Sequence, residues 1–456
     1  MSALTSTMRP ISQIVDYEPQ LRHLQQQQHD VQLMQPLDTV KLLTLNCWGL
    51  KYVSKFRKER LRHIADRLAS ESERDDYDIV ALQEVWVKED WDYISARCAN
   101  KYPYRRIFSS GIISGPGLAI MSKIPIKRTT LHHFPINGRP SAFYRGDWYV
   151  GKSVSVTMLQ PTSPGASPIA LLNSHMHAPY SLTGDAAYNC HRACQAWEIA
   201  TLATDLSDAG YAVILVGDLN CRPGSLQYRI LQHEANLKDS WELVYGATDL
   251  EEVKQMSPVD QILKAATTCD SVLNTWREQR DPSEACRLDY ALIDDSKLTP
   301  ISASVEFTEK IPGIGSYSDH FAYTATFQVL PKFIQCERSP ASASEKLKVY
   351  NDFSALVINY IRTTNKWQYQ WRMSHFLVSL FICVGLVPVI TVASLVVPWL
   401  TSGFYLAGLF IGIAGAINGL IGYLFTKGEY RNLREVIFQI NDRYTYLKTT
   451  AKFAQI

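Results

Sequence analysis

The chain is poor in net charge. Among its 456 residues, 46 Lys and Arg face 44 Asp and Glu, leaving only +2. No broad basic field therefore favours nucleic acid. Its nine cysteines (Cys47, Cys98, Cys190, Cys194, Cys221, Cys269, Cys286, Cys336 and Cys383) form no CxxC pair and are odd in number. That argues against a zinc knuckle or a disulfide scaffold and suits a reducing compartment. Cys190 and Cys194 share a helix face by spacing and read as buried thiols. There is no GxSxG elbow. "GDWYVGKSV" carries Walker spacing between Gly146 and Gly151, but its flanks do not read as the strand and helix of a nucleotide loop. The opening "MSALTSTMRPISQIVDYEPQ" has no uninterrupted apolar run, so it is no secretory signal. With the polar "HLQQQQHD" that follows, residues 1–38 read as a poorly packed leader.

What is present is apolar and ordered. Hydrophobic residues make up 46% of the chain, enough for a sizeable core. "FLVSLFICVGLVPVITVASLVVPWL" (376–400) and "FYLAGLFIGIAGAINGLIGYLF" (404–425) carry no charge. Each exceeds the ~20 apolar residues that cross a bilayer. With only "TSG" between them they read as a transmembrane helical hairpin. Lys366 and Arg372 precede it, and Lys427, Arg431 and Arg434 follow it, so both chain ends are expected in the cytosol. Gly408, Gly412, Gly415 and Gly419 allow close packing against the first span or another copy, hence a homodimer as one option. Pro388 is expected to kink the first span. Residues 331–375 read as linker and juxtamembrane segment, with Trp367, Tyr369 and Trp371 as an aromatic belt. Residues 427–456 read as a cytosolic helix, solvated or drawn to anionic lipid.

Between residues 39 and 330, six short apolar runs each end in, or carry, an acid, amide or histidine. "VKLLTLNCWGL" carries Asn46, "YDIVALQEVW" Glu84, "PIALLNSHMHA" His175 and His177, "AVILVGDLN" Asp218 and Asn220, and "RLDYALI" Asp289. "SYSDHFAYTATF" places Asp319 and His320 before an aromatic, β-branched strand. Amphipathic helices such as "FRKERLRHIADRLASE" lie between them. A sheet sets its strand ends along one edge, so these groups can converge there. Asn46 and Glu84 offer two oxygen ligands, which suits a hard cation such as Mg²⁺ shared with a substrate phosphate. Asp218 and Asn220 pair an acceptor with a donor. His320 supplies a base that titrates near neutrality.

In this order, "NCWGL", "LQEVW", "SHMHA", "GDLN", "RLDY" and "SDH" resemble the endonuclease/exonuclease/phosphatase (deoxyribonuclease-like) superfamily over residues 39–330. "HMHAPY", "HRACQAWEIA", "GDLN" and the C-terminal spans resemble the neutral sphingomyelinase family, nearest to the fungal inositol phosphosphingolipid phospholipases C. The resemblance implies an α/β fold, a four-layered sandwich of two packed sheets flanked by helices, with the transmembrane hairpin added. It implies Mg²⁺ dependence and activation by anionic phospholipids. Site residues carry over one by one: Glu84 as Mg²⁺ ligand with Asn46 nearby, His320 as general base, Asp289 as its orienting carboxylate with Asp319 beside it. His175 is expected at the phosphate, Asp218 and Asn220 at the phosphate or nucleophile. Asp147 and Lys152 of "GDWYVGKS" match a P-loop-like segment that matters for activity. His177 reads equally as a structural histidine. The expected enzyme is a membrane-anchored phosphodiesterase acting on inositol phosphosphingolipid or sphingomyelin. A phosphoinositide phosphatase or a nuclease on the same fold is the alternative. The endoplasmic reticulum is the expected membrane, the mitochondrial outer membrane the second choice.

Overall fold

The computed structural model describes residues 38–161, 163, 165–332 and 342–453. The expected leader, apart from Asp38, and residues 333–341 of the expected linker lie outside them. The strands are β1 (Asp38–Asn46), β2 (Ile79–Gln83), β3 (Tyr104–Ile107), β4 (Ala119–Ser122), β5 (Ile126–His133), β6 (Ser153–Leu159) and β7 (Ile169–His175), then β8 (Ala212–Asp218), β9 (Lys238–Asp239), β10 (Asp289–Ile293), β11 (Leu298–Glu306), β12 (Lys310–Ile311), β13 (Gly315–Ser316) and β14 (Ala322–Val329). They build two six-stranded sheets, ordered β11-β14-β1-β2-β4-β3 and β5-β6-β7-β8-β10-β9, with β12 and β13 as a small ribbon.

Period-two alternation sorts each strand's side chains between two buried layers. In β1, Val40 and Leu42 enter the core between the sheets, whereas Leu43 and Leu45 face helices outside. In β8, Ile214 and Val216 face inward, and Val213 and Leu215 face the opposite helix layer. Both faces being covered explains why these strands read as continuous apolar runs. Helices Arg57–Leu68 and Lys88–Arg97 cover the first sheet. Asn189–Asp208 and Leu226–Glu234 cover the second. The architecture is the four-layered α/β sandwich expected.

Two C-terminal helices complete that outer layer. Ala343–Tyr360 buries Val349, Phe353 and Val357 against it, and Lys427–Phe453 buries Leu433, Val436 and Ile440. Their four- and three-residue spacing is one helix face. The stretches expected to serve as linker and as solvated or lipid-facing tail therefore contain part of the sandwich core. Their basic and aromatic balance hid a short apolar stripe.

Lys366–Val396 and Pro398–Leu420 are long and apolar enough to cross a membrane. The turn between them falls at Val397 and Pro398, earlier than the expected Thr401–Gly403, which is helical. A residue before proline disfavours the helical region, and proline suits a first helical turn; Val397 accordingly sits at φ −139°, ψ 71°. The first helix continues through Pro388. The glycine row faces that same helix: Gly408, Gly412, Gly415 and Gly419 lie nearest Leu386, Cys383, Ser379 and Phe376.

Candidate active site

Six strand ends meet along one rim. Asn46 closes β1, and Glu84 follows β2, its parallel neighbour. His175 and Asp218 close the parallel strands β7 and β8 and are register partners. Asp289 opens β10, antiparallel to β8, directly opposite Asp218. His320 stands two residues before β14. The chain turns sharply here: Trp48, Glu84 and Asn220 adopt φ of 48°, 57° and 47°. Non-glycine residues held in that region mark strain of the kind concentrated at functional sites. Gly217 of "GDLN" sits at φ 123°, and a Cβ there would collide with the Ser174 carbonyl.

The side chains interlock. Asn46 Nδ2 donates to Glu84 Oε1 (3.2 Å) and to Asp218 Oδ2 (3.0 Å), and its Oδ1 accepts from the Trp48 N–H (3.0 Å). His320 Nδ1 lies 2.8 Å from Asp289 Oδ2. A carboxylate only accepts, so Nδ1 carries the proton there. Nε2 then faces Asp218 Oδ2 at 3.9 Å. His175 Nε2 stands 3.5 Å from Asp218 Oδ2 and 3.9 Å from Glu84 Oε1. The Asn220 N–H donates to Asp218 Oδ1 (3.0 Å).

Lys152 and Asp147 flank this network. Lys152 Nζ is 3.4 Å from Asp147 Oδ1 and donates to the Met176 carbonyl (3.2 Å), which Asn220 Nδ2 also reaches (3.0 Å). His177 stands with Asp147, at 3.7 Å, and stacks on Tyr188. Asp319 points elsewhere: Arg277 Nη2 holds its Oδ2 at 2.6 Å.

Burial sets the protonation states. It pushes the Glu84 carboxyl up to about 7, with Asp319 adding repulsion, and the Asp218 carboxyl up to about 6. Burial and the Lys152 charge hold His175 well below its usual value, so it is neutral. Burial also opposes charge on His320, but Asp289 and Asp218 together hold it well above the usual imidazole value.

A divalent ion fits these residues. The half-buried Glu84 carboxylate shares the rim with the buried Asp218 and Asp289. A cation at Glu84 would relieve that crowding, and the Asn46 Oδ1 keeps a second lone pair. No cluster of three metal-type side chains exists among the described residues. The donor set therefore suits a hard ion that keeps waters and shares phosphate oxygens.

Several supporting residues escaped the sequence reading. Arg60 is fully buried and donates to the Cys47, Trp48 and Tyr317 carbonyls at 3.1, 2.8 and 2.8 Å, tying the β1 turn to the His320 segment. Its signal was its place in the apolar stripe Arg60, Ile64, Leu68. Gln83 Nε2 donates to Asn173 Oδ1 (2.8 Å), joining the two sheets beneath the site. The Ser318 hydroxyl donates to the Asn46 carbonyl (2.6 Å). Trp86 Nε1 reaches Glu84 Oε2 at 3.4 Å. Apart from Trp86–Glu84, these contacts join distant segments and leave no local pattern.

Such a sandwich, with a His–Asp pair and buried carboxylates at one rim, defines an enzyme, a phosphate-ester hydrolase of the phosphodiesterase class. The profile of the Endonuclease/Exonuclease/phosphatase family matches residues 43–320. The chain is 47% identical to inositol phosphosphingolipids phospholipase C of Saccharomyces cerevisiae over 439 residues, 90% of this chain and 91% of that one. It is 37% identical to human sphingomyelin phosphodiesterase 2 over 205 residues, 44% of this chain and 46% of that one. Among solved structures, sphingomyelinase C from Streptomyces griseocarneus matches with a TM-score of 0.47 at 20% identity, over 63% of this chain and 99% of that one. The chain thus belongs to the Endonuclease/Exonuclease/phosphatase family and, within it, to the group of the yeast protein.

Proposed function

We propose that the protein is a membrane-anchored, Mg²⁺-dependent phospholipase C. It hydrolyses the phosphodiester of an inositol phosphosphingolipid, or of sphingomyelin, to ceramide and a phosphorylated head group. The observation that carries this reading is the His320–Asp289 pair facing Asp218 across from Glu84 and Asn46. The likeness to the yeast phospholipase C along 91% of its length supports the substrate class.

Glu84 and Asn46 would hold the ion, which supplies Lewis-acid stabilisation of charge growing on the phosphate. In its neutral form, with the proton on Nδ1 and Nε2 free, His320 takes a proton from the attacking water. Asp289 stabilises the imidazolium that forms. His175, neutral and buried, offers Nε2 to a phosphate oxygen, and Asn220 and Lys152 fix the group in line for attack. Hydroxide ends on phosphorus and the proton on the departing ceramide oxygen.

A lipid substrate agrees with the surroundings. The Trp148 ring packs edge-on against Phe425 at the base of the apolar hairpin, 5.3 Å between centroids. The Ile112 and Ile113 N–H groups both bond to the Tyr149 carbonyl beside it. Ile112, Ile113, Phe143, Tyr144 and Leu182 stand exposed on these and neighbouring loops, where a bilayer would cover them. Both chain ends would be cytosolic, in the endoplasmic reticulum membrane or the mitochondrial outer membrane, and anionic phospholipid would activate.

The test is purified full-length protein with Mg²⁺, offered inositol phosphosphingolipid, sphingomyelin, phosphoinositide and plasmid. Released ceramide is expected. Free phosphate or nicked plasmid without ceramide would replace this reading with the phosphatase or the nuclease.

A further inference from the structure

Cys269 and Cys286 lie opposite each other in an antiparallel bridge behind the His320–Asp289 pair. Each donates its backbone N–H to the other's carbonyl at 3.0 Å. Such a pair sets its Cα atoms about 5.5 Å apart, inside the roughly 4.4–6.8 Å that a disulfide spans. Both thiols are buried and free. The nearby Arg222 charge favours the Cys286 thiolate, and the thiolate is the nucleophile.

Cys286, 7% exposed, also borders an opening. It lines a cleft of about 110 Å³ whose walls include Arg222, Lys254 and Arg287. A water occupies roughly 30 Å³, so a small hydroperoxide fits. Cys269 sits behind Cys286 and next to catalysis. On its other side it bridges to His320. Its neighbour Thr268 accepts the Leu288 and Asp289 N–H groups on its hydroxyl (3.1 and 3.3 Å) and the Phe321 N–H on its carbonyl (2.8 Å). Thr268–Cys269 is thus the spacer between the segments that carry Asp289 and His320.

We propose that these cysteines form an oxidation site, with Cys286 as the peroxide-reactive thiol and Cys269 as the resolving thiol, whose closure disables the catalytic pair. The Cys286 thiolate attacks the O–O bond of a hydroperoxide. An S–O bond forms, the O–O bond breaks, and water or an alcohol leaves. Cys269 sulfur then attacks the sulfenic acid, forming S–S and breaking S–O, and the hydroxide leaves as water with the Cys269 proton. Two thiols are oxidised and one peroxide is reduced. Disulfide Cβ atoms stand about 3.8 Å apart, closer than the ~4.5–5.5 Å of directly opposed residues. Closure therefore draws the spacer toward Cys286 and away from His320.

Full-length protein exposed to hydrogen peroxide, then differentially alkylated and mapped by mass spectrometry, tests this. A Cys269–Cys286 disulfide that dithiothreitol reverses is expected, with phosphodiesterase activity falling and recovering by about 10²-fold, as misplacement near 1 Å can cause. Cys269→Ser should instead accumulate oxidised Cys286 monomer, and Cys286→Ser should keep activity in peroxide; the alanine variants serve if either serine variant fails to fold. Two free thiols in peroxide-treated wild type, or equal inactivation of Cys286→Ser and wild type, would overturn the proposal. The disulfide is read by mass, so an error in the substrate reading leaves that arm intact.

Discussion

His320 takes its carboxylate partner from another strand: Nδ1 lies 2.8 Å from Asp289 Oδ2, while Asp319, its neighbour in the chain, is held by Arg277. The antiparallel register that sets Asp289 opposite Asp218 also leaves His320 Nε2 facing Asp218. One base thus lies between two buried carboxylates.

His320→Ala should lower kcat by ~10²–10⁴-fold, the usual worth of a general base, with the circular dichroism spectrum and melting temperature near wild type. Near-full activity in a folded variant would remove His320 from the mechanism.

Asp289→Asn keeps the shape and removes a charge that favours the imidazolium. The His320 value should fall. Because catalysis needs the neutral ring, the acid limb of the pH–kcat profile should move to lower pH even as kcat drops. An unmoved limb would mean another group sets it.

Glu84→Gln should raise the Mg²⁺ concentration for half-maximal activity on the order of 10–100-fold or more. The same carboxyl links stability to pH. Its folded value is about 7 against an ordinary 4.5. Between them the folded state binds more protons than the unfolded one, so stability falls as pH rises through that window. In chelator, the melting temperature should drop from pH 5 to pH 7.5, less so in Glu84→Gln and less so with Mg²⁺ added. A flat wild-type profile would contradict the buried charge.

Phe353 is fully buried and its ring centroid lies 5.7 Å from that of Trp197. Phe353→Ala should cost roughly 3–5 kcal/mol, read by denaturant unfolding in detergent, and a chain cut after residue 332 should fail to yield folded protein. A stable, soluble 38–332 fragment would show that the C-terminal helices are dispensable to the core.

Gly217→Ala should destabilise by more than about 1 kcal/mol, because its φ of 123° suits glycine and the added Cβ meets the Ser174 carbonyl. Wild-type thermal stability in this variant would mean that the strands can part there.

Much of the sandwich was legible because strands buried on both faces are apolar throughout, as in "AVILVGD" and "IALLNSH". The polar residues stood out by ending those runs. The Val397–Pro398 turn was missed because an uncharged run looks uniform to hydropathy, although proline's geometry was on view. The docking stripes of 343–360 and 427–453 were missed because three or four apolar side chains per helix are outnumbered by charged ones.

Composition and order alone determined an α/β chain with two apolar spans and a set of phosphate-type side chains at the ends of its buried runs, because burial periodicity and residue chemistry are local properties. Only the tertiary structure decided which of those side chains meet. Asp289 rather than Asp319 holds His320, Arg60 braces the rim, and Cys269 lies against Cys286, because strand register and sheet packing bring together residues far apart in the chain.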